Sequence, residues 1–157
     1  IAILLRISPH PWNFTPILSI ALLTGVYFKN KYSFLIPLSI VVLSDLYIGN
    51  FNMALWVYIS YLLIFVFGKT FISKKSFKNI FLSSVLGSLM FFIITNFGTW
   101  IIGYPKTIAG LVSCFTLALP FYKNTLLSAV FYSSLFFILY EIFLIINFRY
   151  IKKQNIF

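Results

Sequence analysis

Ile80-Phe-Leu-Ser-Ser-Val-Leu-Gly-Ser-Leu-Met-Phe-Phe-Ile-Ile-Thr-Asn-Phe-Gly-Thr-Trp-Ile-Ile102 decides the fold. These 23 residues contain no charged side chain. A bilayer's hydrocarbon core takes about 20 apolar residues of α-helix to cross. The alternative spanning structure, a β-barrel, needs strands that alternate polar and apolar residues. This run is continuous rather than alternating, so it reads as a helix that closes its own backbone hydrogen bonds in lipid.

Working outward, similar apolar runs recur between short clusters of charge and turn residues. The breaks fall at Arg6 to Asn13, Lys29-Asn-Lys31, Gly49-Asn-Phe-Asn52, Lys69 to Asn79, Gly103-Tyr-Pro-Lys106, Phe121-Tyr-Lys-Asn124 and Arg149 to Gln154. Helices are therefore expected at about 1–6, 15–28, 33–48, 53–68, 80–102 and 125–148, with a short apolar segment at 107–120. Residues 1–5 read as the tail of a longer helix, so the first helix is expected to be truncated. The segments 15–28 and 33–48 are short for spans. They either extend past these bounds or form a hairpin that does not fully cross.

Composition agrees with this pattern. The chain of 157 residues is 61% hydrophobic and only 9% charged, where a soluble domain is about 25% charged. A soluble protein could not hide so much apolar surface, so lipid must cover it. The net charge of +10 does not point to nucleic acid. The cations sit in short clusters between apolar runs, as lysines do at a membrane surface.

The positive-inside rule then selects a topology. If six helices cross and 107–120 does not, Lys29, Lys31, Lys69, Lys74, Lys75, Lys78, Arg149, Lys152 and Lys153 share one side. Only Arg6, Lys106 and Lys123 fall on the other. If 107–120 also crossed, the split would be seven against five. The expected fold is thus an all-α polytopic membrane bundle, residues 1–157 in one membrane domain. It has six transmembrane helices, a short outer-side helix at 107–120 and both termini in the cytoplasm of a bacterium.

The unusual polar residues collect on the outer side: His10-Pro-Trp-Asn-Phe-Thr-Pro16, Ser44-Asp45, Asn50, Asn52, Trp56, Tyr58, Tyr61, Thr95-Asn96, Trp100, Tyr104, Lys106, Tyr122, Lys123 and Asn124. An acid or amide inside a membrane segment is costly and marks a functional-site hypothesis. Amides, hydroxyls and aromatics together suit a small ligand with a flat ring and polar edges. Asn13, Asp45, Trp56, Tyr58, Asn96, Trp100, Tyr104 and Lys106 are the candidate ligand-binding residues. Each also has a plainer reading. Trp and Tyr at helix ends anchor at the interface, Asp45 caps a helix or pairs with a lysine, and Asn96 links helices. His10 reads as a solvated loop residue and Glu141 as the partner of a lysine. Ala21-xxx-Gly25 and Ser83-xxx-Gly87 are small-residue spacings that let helices approach.

Catalysis finds no motif. There is no HExxH, GxSxG or P-loop, and Asp45 and Glu141, the two acids, belong to opposite faces. One histidine cannot ligate haem from both sides, and Cys114 has neither a disulfide nor a metal-binding partner. No cofactor and no metal are expected. Energy for transport would come from a gradient or another subunit.

The order of these features resembles the S components of energy-coupling-factor vitamin transporters. Pro11-Trp-Asn-Phe-Thr-Pro-Ile17, then Gly25-Val-Tyr-Phe-Lys29 and Asp45-Leu-Tyr-Ile-Gly49, are similar to the second and third helices of that fold. Leu119-Pro-Phe-Tyr-Lys-Asn124 resembles the turn that opens its sixth helix. More closely, the chain resembles an uncharacterised family of small bacterial membrane proteins with the pattern His10-Pro-x-Asn-Phe-Thr-Pro16, Ser44-Asp45, Thr95-Asn-Phe97, Tyr104-Pro-Lys-Thr107 and Pro120-Phe-x-x-Asn124. The S-component resemblance implies capture of a vitamin-like micronutrient from the outer side. It implies as partners a coupling membrane subunit and two ATPase subunits. In that group a small-xxx-small motif on the first helix docks the coupling subunit, and most of that helix is absent here. A cobalamin-specific member ligates cobalt through a cysteine after the third helix. Residues 49–61 hold none, so cobalamin is not supported. The alternative reading is a structural or assembly subunit of a larger membrane complex. A third is an intramembrane enzyme acting on lipid or quinone.

Overall fold

The structure is a computed structural model that describes residues 1–154 except Lys29, Asn50, Ser73 and Lys74, with side chains as far as Asn147. It is an all-helical bundle: α1 (Ala2–Ile7), α2 (Ile17–Tyr27), a 3-10 turn (Lys31–Phe34) running into α3 (Leu35–Ile48), α4 (Ala54–Phe71), α5 (Phe77–Gly103) and α6 (Ile108–Gln154). Four stretches are long and apolar enough to cross a membrane: Lys31–Ile48, Ala54–Phe71, Phe77–Gly103 and Ile108–Asn147. The expected count of six is not reached by length, because α1 has 6 residues and α2 has 11. At 1.5 Å per residue α2 is about 16 Å long, roughly half the hydrocarbon thickness.

That short helix is the centre of the molecule. It is apolar all round, as a helix buried on every side must be, and packs against α3, α4, α5 and α6. Ile17, Ala21 and Leu22 are fully buried. Two glycines let it sink into α4. A Cβ on Gly25 would strike the Phe65 carbonyl, and one on Gly68 would strike the Leu22 carbonyl. The Ala21-xxx-Gly25 spacing is therefore a packing device. Gly87, in Ser83-xxx-Gly87, faces Leu18 and Ile64, but an added Cβ there would make only ordinary contact. Buried serines serve the same end. Ser60, Ser84 and Ser88 each turn their hydroxyl onto a carbonyl of their own helix, which keeps the contact surface small and satisfied. Ser19 donates to the Ala129 carbonyl at 3.1 Å and meets Ser133 at 3.0 Å, tying α2 to α6.

The pairings set relative heights. Leu18 lies beside Gly87, near the middle of α5. So α2 starts halfway through the bundle, and residues 8–16 descend to that depth without forming a helix. At the opposite end, Tyr27 donates to Glu141 at 3.4 Å, meets the Tyr140 ring at a tilt with centroids 4.2 Å apart and carries Lys75 over its ring at 4.6 Å. Glu141 thus accepts from a tyrosine, Tyr27. Lys31, Lys69, Lys75 and Lys78 all lie at this end, while Lys29 and Lys74 fall outside the described residues. So do the side chains of Arg149, Lys152 and Lys153.

One expected boundary is corrected. The short helix at 107–120 and the helix at 125–148 are one continuous α6, with Pro120 inside it. Proline removes one backbone donor and usually kinks a helix, but the chain continues here because the residues on both sides pack on α5. Phe115 and Tyr122 both meet Phe92, with ring centroids at 5.5 and 4.7 Å, and Phe137 meets Phe77. Lys123, expected in an outer loop, consequently lies level with the middle of α5. It is exposed there and has no hydrogen bond or ion pair among the described residues.

Candidate functional site

The non-helical stretch between α1 and α2 forms one wall of a cavity of about 510 Å³. Pocket volumes for small ligands run from about 300 to 1,000 Å³. The cavity is lined by Arg6 and Ile7 of α1, by Ser8, Pro9, His10, Trp12, Asn13 and Thr15 of the connecting loop, and by Leu18. Ile48, Val57, Tyr61, Phe91, Thr125 and Ser128 close it from α3, α4, α5 and α6. Irregular backbone at membrane depth is tolerated only where protein buries it or where it lines a polar cavity. The second condition applies here, since the segment lines the cavity, although Ser8, Pro9, Pro11, Trp12 and Asn13 are themselves exposed. Pro9, Pro11 and Pro16 disfavour helix through the loop, and Asn13 takes a left-handed backbone, φ 63°. Asn is among the few residues that adopt it readily. Its carbonyl accepts from Ser128 Oγ at 3.3 Å, which pins the loop to α6.

Arg6 stands at the junction of α1 with α3. Its guanidinium forms a 2.7 Å ion pair with Asp45 and donates to Ser44 Oγ at 2.6 Å and to the Val41 carbonyl at 3.1 Å. Asp45 is 4% exposed, and Tyr58 and Tyr61 lie close to the pair. The result is a connected polar group of Arg6, Ser44 and Asp45 beside the cavity, with Thr15, Tyr58 and Tyr61 next to it. Neither cap nor lysine partner, Asp45 instead holds the arginine that faces the cavity.

Of the eight candidate residues, Asn13 alone lines the cavity, and Asp45 and Tyr58 support Arg6 from behind. The other five lie elsewhere. Trp56 packs against Gly98 and Phe97 between α4 and α5. Asn96 turns its amide onto the Phe92 carbonyl of its own helix at 2.7 Å, and its backbone carbonyl accepts from Cys114 Sγ. Trp100, Tyr104 and Lys106 build the turn between α5 and α6. Trp100 Nε1 donates to the Pro105 carbonyl, and Lys106 Nζ donates to the carbonyls of Trp100 and Tyr104. Asn50 is outside the described residues. The residues that sequence reasoning missed are Arg6, Thr125 and Ser128. Arg6 had a signal: it is the only arginine near the only acid of that side. Thr125 and Ser128, three apart, share a helix face, but hydroxyls in membrane helices usually bond their own backbone. Among the described residues no group of three His, Cys, Asp or Glu could hold a metal.

With this geometry in place, a family model matches residues 1–151, nearly the whole chain; it describes a family of unknown function, DUF6580. The chain belongs to this family. No curated protein and no solved structure matches it. Membership of DUF6580 therefore leaves the chemistry to be argued from the cavity itself.

Proposed function

We propose that this DUF6580 protein is a substrate-binding membrane subunit that takes up a small organic micronutrient into the cavity between α1, α2, α4 and α6. The observation that carries the reading is the non-helical segment 8–16 descending to mid-bundle beside a partly polar space of about 510 Å³. A purely structural subunit has no use for a short central helix that leaves such a space above it. The lysine-rich end is read as cytoplasmic under the positive-inside rule, so the cavity opens to the outside of a bacterial cytoplasmic membrane. The resemblance to S components supports the further step that a coupling membrane subunit and two ATPase subunits supply the energy.

Native mass spectrometry of the protein purified from its own membrane tests the binding step. The expected result is a bound small molecule at one per chain, absent from Val57→Trp, which fills the cavity from a half-buried position on α4. Folded wild-type protein that carries no small molecule, and binds none from a metabolite extract, would contradict the reading.

A further inference from the structure

The two polar walls of the cavity differ in hydrogen-bonding sense, and this difference defines a ligand class; the inference rests on the binding function proposed above. Arg6 has five N–H donors. The Val41 carbonyl, Ser44 Oγ and Asp45 Oδ1 accept three of them. Two donors remain on a side chain that lines the cavity. Asp45 offsets the charge, so this wall offers donors without net charge.

The α6 wall offers no free donor. Thr125 Oγ1 donates its hydrogen to the Phe121 carbonyl. Ser128 Oγ shares its hydrogen between the carbonyls of Asn13 and Thr125. A hydroxyl has a single donor, so neither has a hydrogen left to give, and both residues are buried, Thr125 at 5% and Ser128 at 1% exposure. The Asn13 side chain lines the space and has no partner among the described residues; its amide supplies one group of each kind. Leu18, Val57 and Phe91 are the apolar surface between these walls. We infer that the cavity takes an uncharged ring with a carbonyl acceptor on one edge and a ring N–H donor on another, a cyclic amide or imide. The Arg6–Asp45 pair has no net charge, so a carboxylate or an ammonium would give up its hydration without gaining a net countercharge.

The experiment is thermal unfolding of the full-length protein in lipid nanodiscs after bound small molecules are removed. Four probes are compared: uracil as the cyclic imide, 1,3-dimethyluracil as its form without N–H, benzoate and benzylammonium. A ligand that binds only the folded state raises Tm. Uracil is expected to raise it and the other three to leave it unchanged. Asn13→Gly, which keeps the left-handed backbone, should weaken uracil binding at least about fivefold, because the ligand N–H loses the amide oxygen that accepts it. A shift with benzoate or benzylammonium, or an equal shift with the dimethyl form, overturns the inference and leaves the binding function standing. If no probe acts, the molecule found by native mass spectrometry decides: a cyclic amide or imide upholds the inference and a ligand without a ring N–H refutes it. No probe and no bound molecule would refute both.

Discussion

Arg6 and Asp45 are the residues on which the cavity wall depends. A buried ion pair is weak support for net stability, because desolvating both charges costs nearly what their attraction returns. Breaking it is another matter. Asp45→Leu leaves the guanidinium unpaired and should destabilise the protein by about 3–5 kcal/mol, whereas the double change Arg6→Met with Asp45→Leu should recover most of that loss. Chemical unfolding in detergent micelles measures both. Equal losses for the single and double variants would show that the pair is not buried as a unit. Asn96 presents the contrasting case. The sequence makes it the most conspicuous amide in the chain, flanked by apolar residues from Leu89 to Phe92. Yet its amide is satisfied by the Phe92 carbonyl one turn back. Asn96→Leu should therefore leave ligand retention unchanged within about twofold, as native mass spectrometry would read. A loss of bound molecule would return Asn96 to the site.

Among the elements, α6 tests the fold most sharply. Reading Phe121-Tyr-Lys-Asn124 as a loop followed from ordinary punctuation: a proline, a lysine and an asparagine in five residues. Packing overrides that signal, because Phe115, Tyr122 and Phe137 all find aromatic partners on α5. The consequence is a lysine at mid-height on an exposed face. A lysine at the centre of a membrane helix costs about 2.5–3.5 kcal/mol on translocon scales. Lys123→Leu is thus expected to raise the stability of the isolated protein in nanodiscs by about 2–3 kcal/mol. An unchanged Tm would mean that α6 breaks near Pro120 and lets Lys123 reach the interface. The short α2 has the reverse history. Its apolar run was plain in the sequence, but its central position was not. That position comes from Gly25 on α2 and Gly68 on α4, each admitting the other helix's backbone at their contact, a long-range match that a single sequence does not display.

At the scale of the whole molecule, fold class was legible because continuous apolar runs admit one backbone solution in lipid. The side bias of the lysines was legible for the same kind of reason, and Lys31, Lys69, Lys75 and Lys78 do share one end. The cavity was only partly legible. Its loop, Pro9 to Pro16, stands out by its prolines and amide, and Asp45 by its charge. The opposite wall, Thr125 and Ser128, is built of residues that look like ordinary helix packing. It acquires meaning only when α6 is placed beside the loop. The central claim is that water and small solutes reach mid-membrane depth through this cavity from outside the cell. Cysteine accessibility tests it most directly. In a Cys114→Ala background, Thr15→Cys on the cavity wall and Leu63→Cys on the exposed apolar face of α4 are treated in intact cells with a membrane-impermeant thiol reagent. The account predicts that the cysteine at 15 reacts, that bound small molecule slows the reaction, and that the cysteine at 63 stays unmodified. A cysteine at 15 that reacts only from the cytoplasmic side, or not at all, would contradict it.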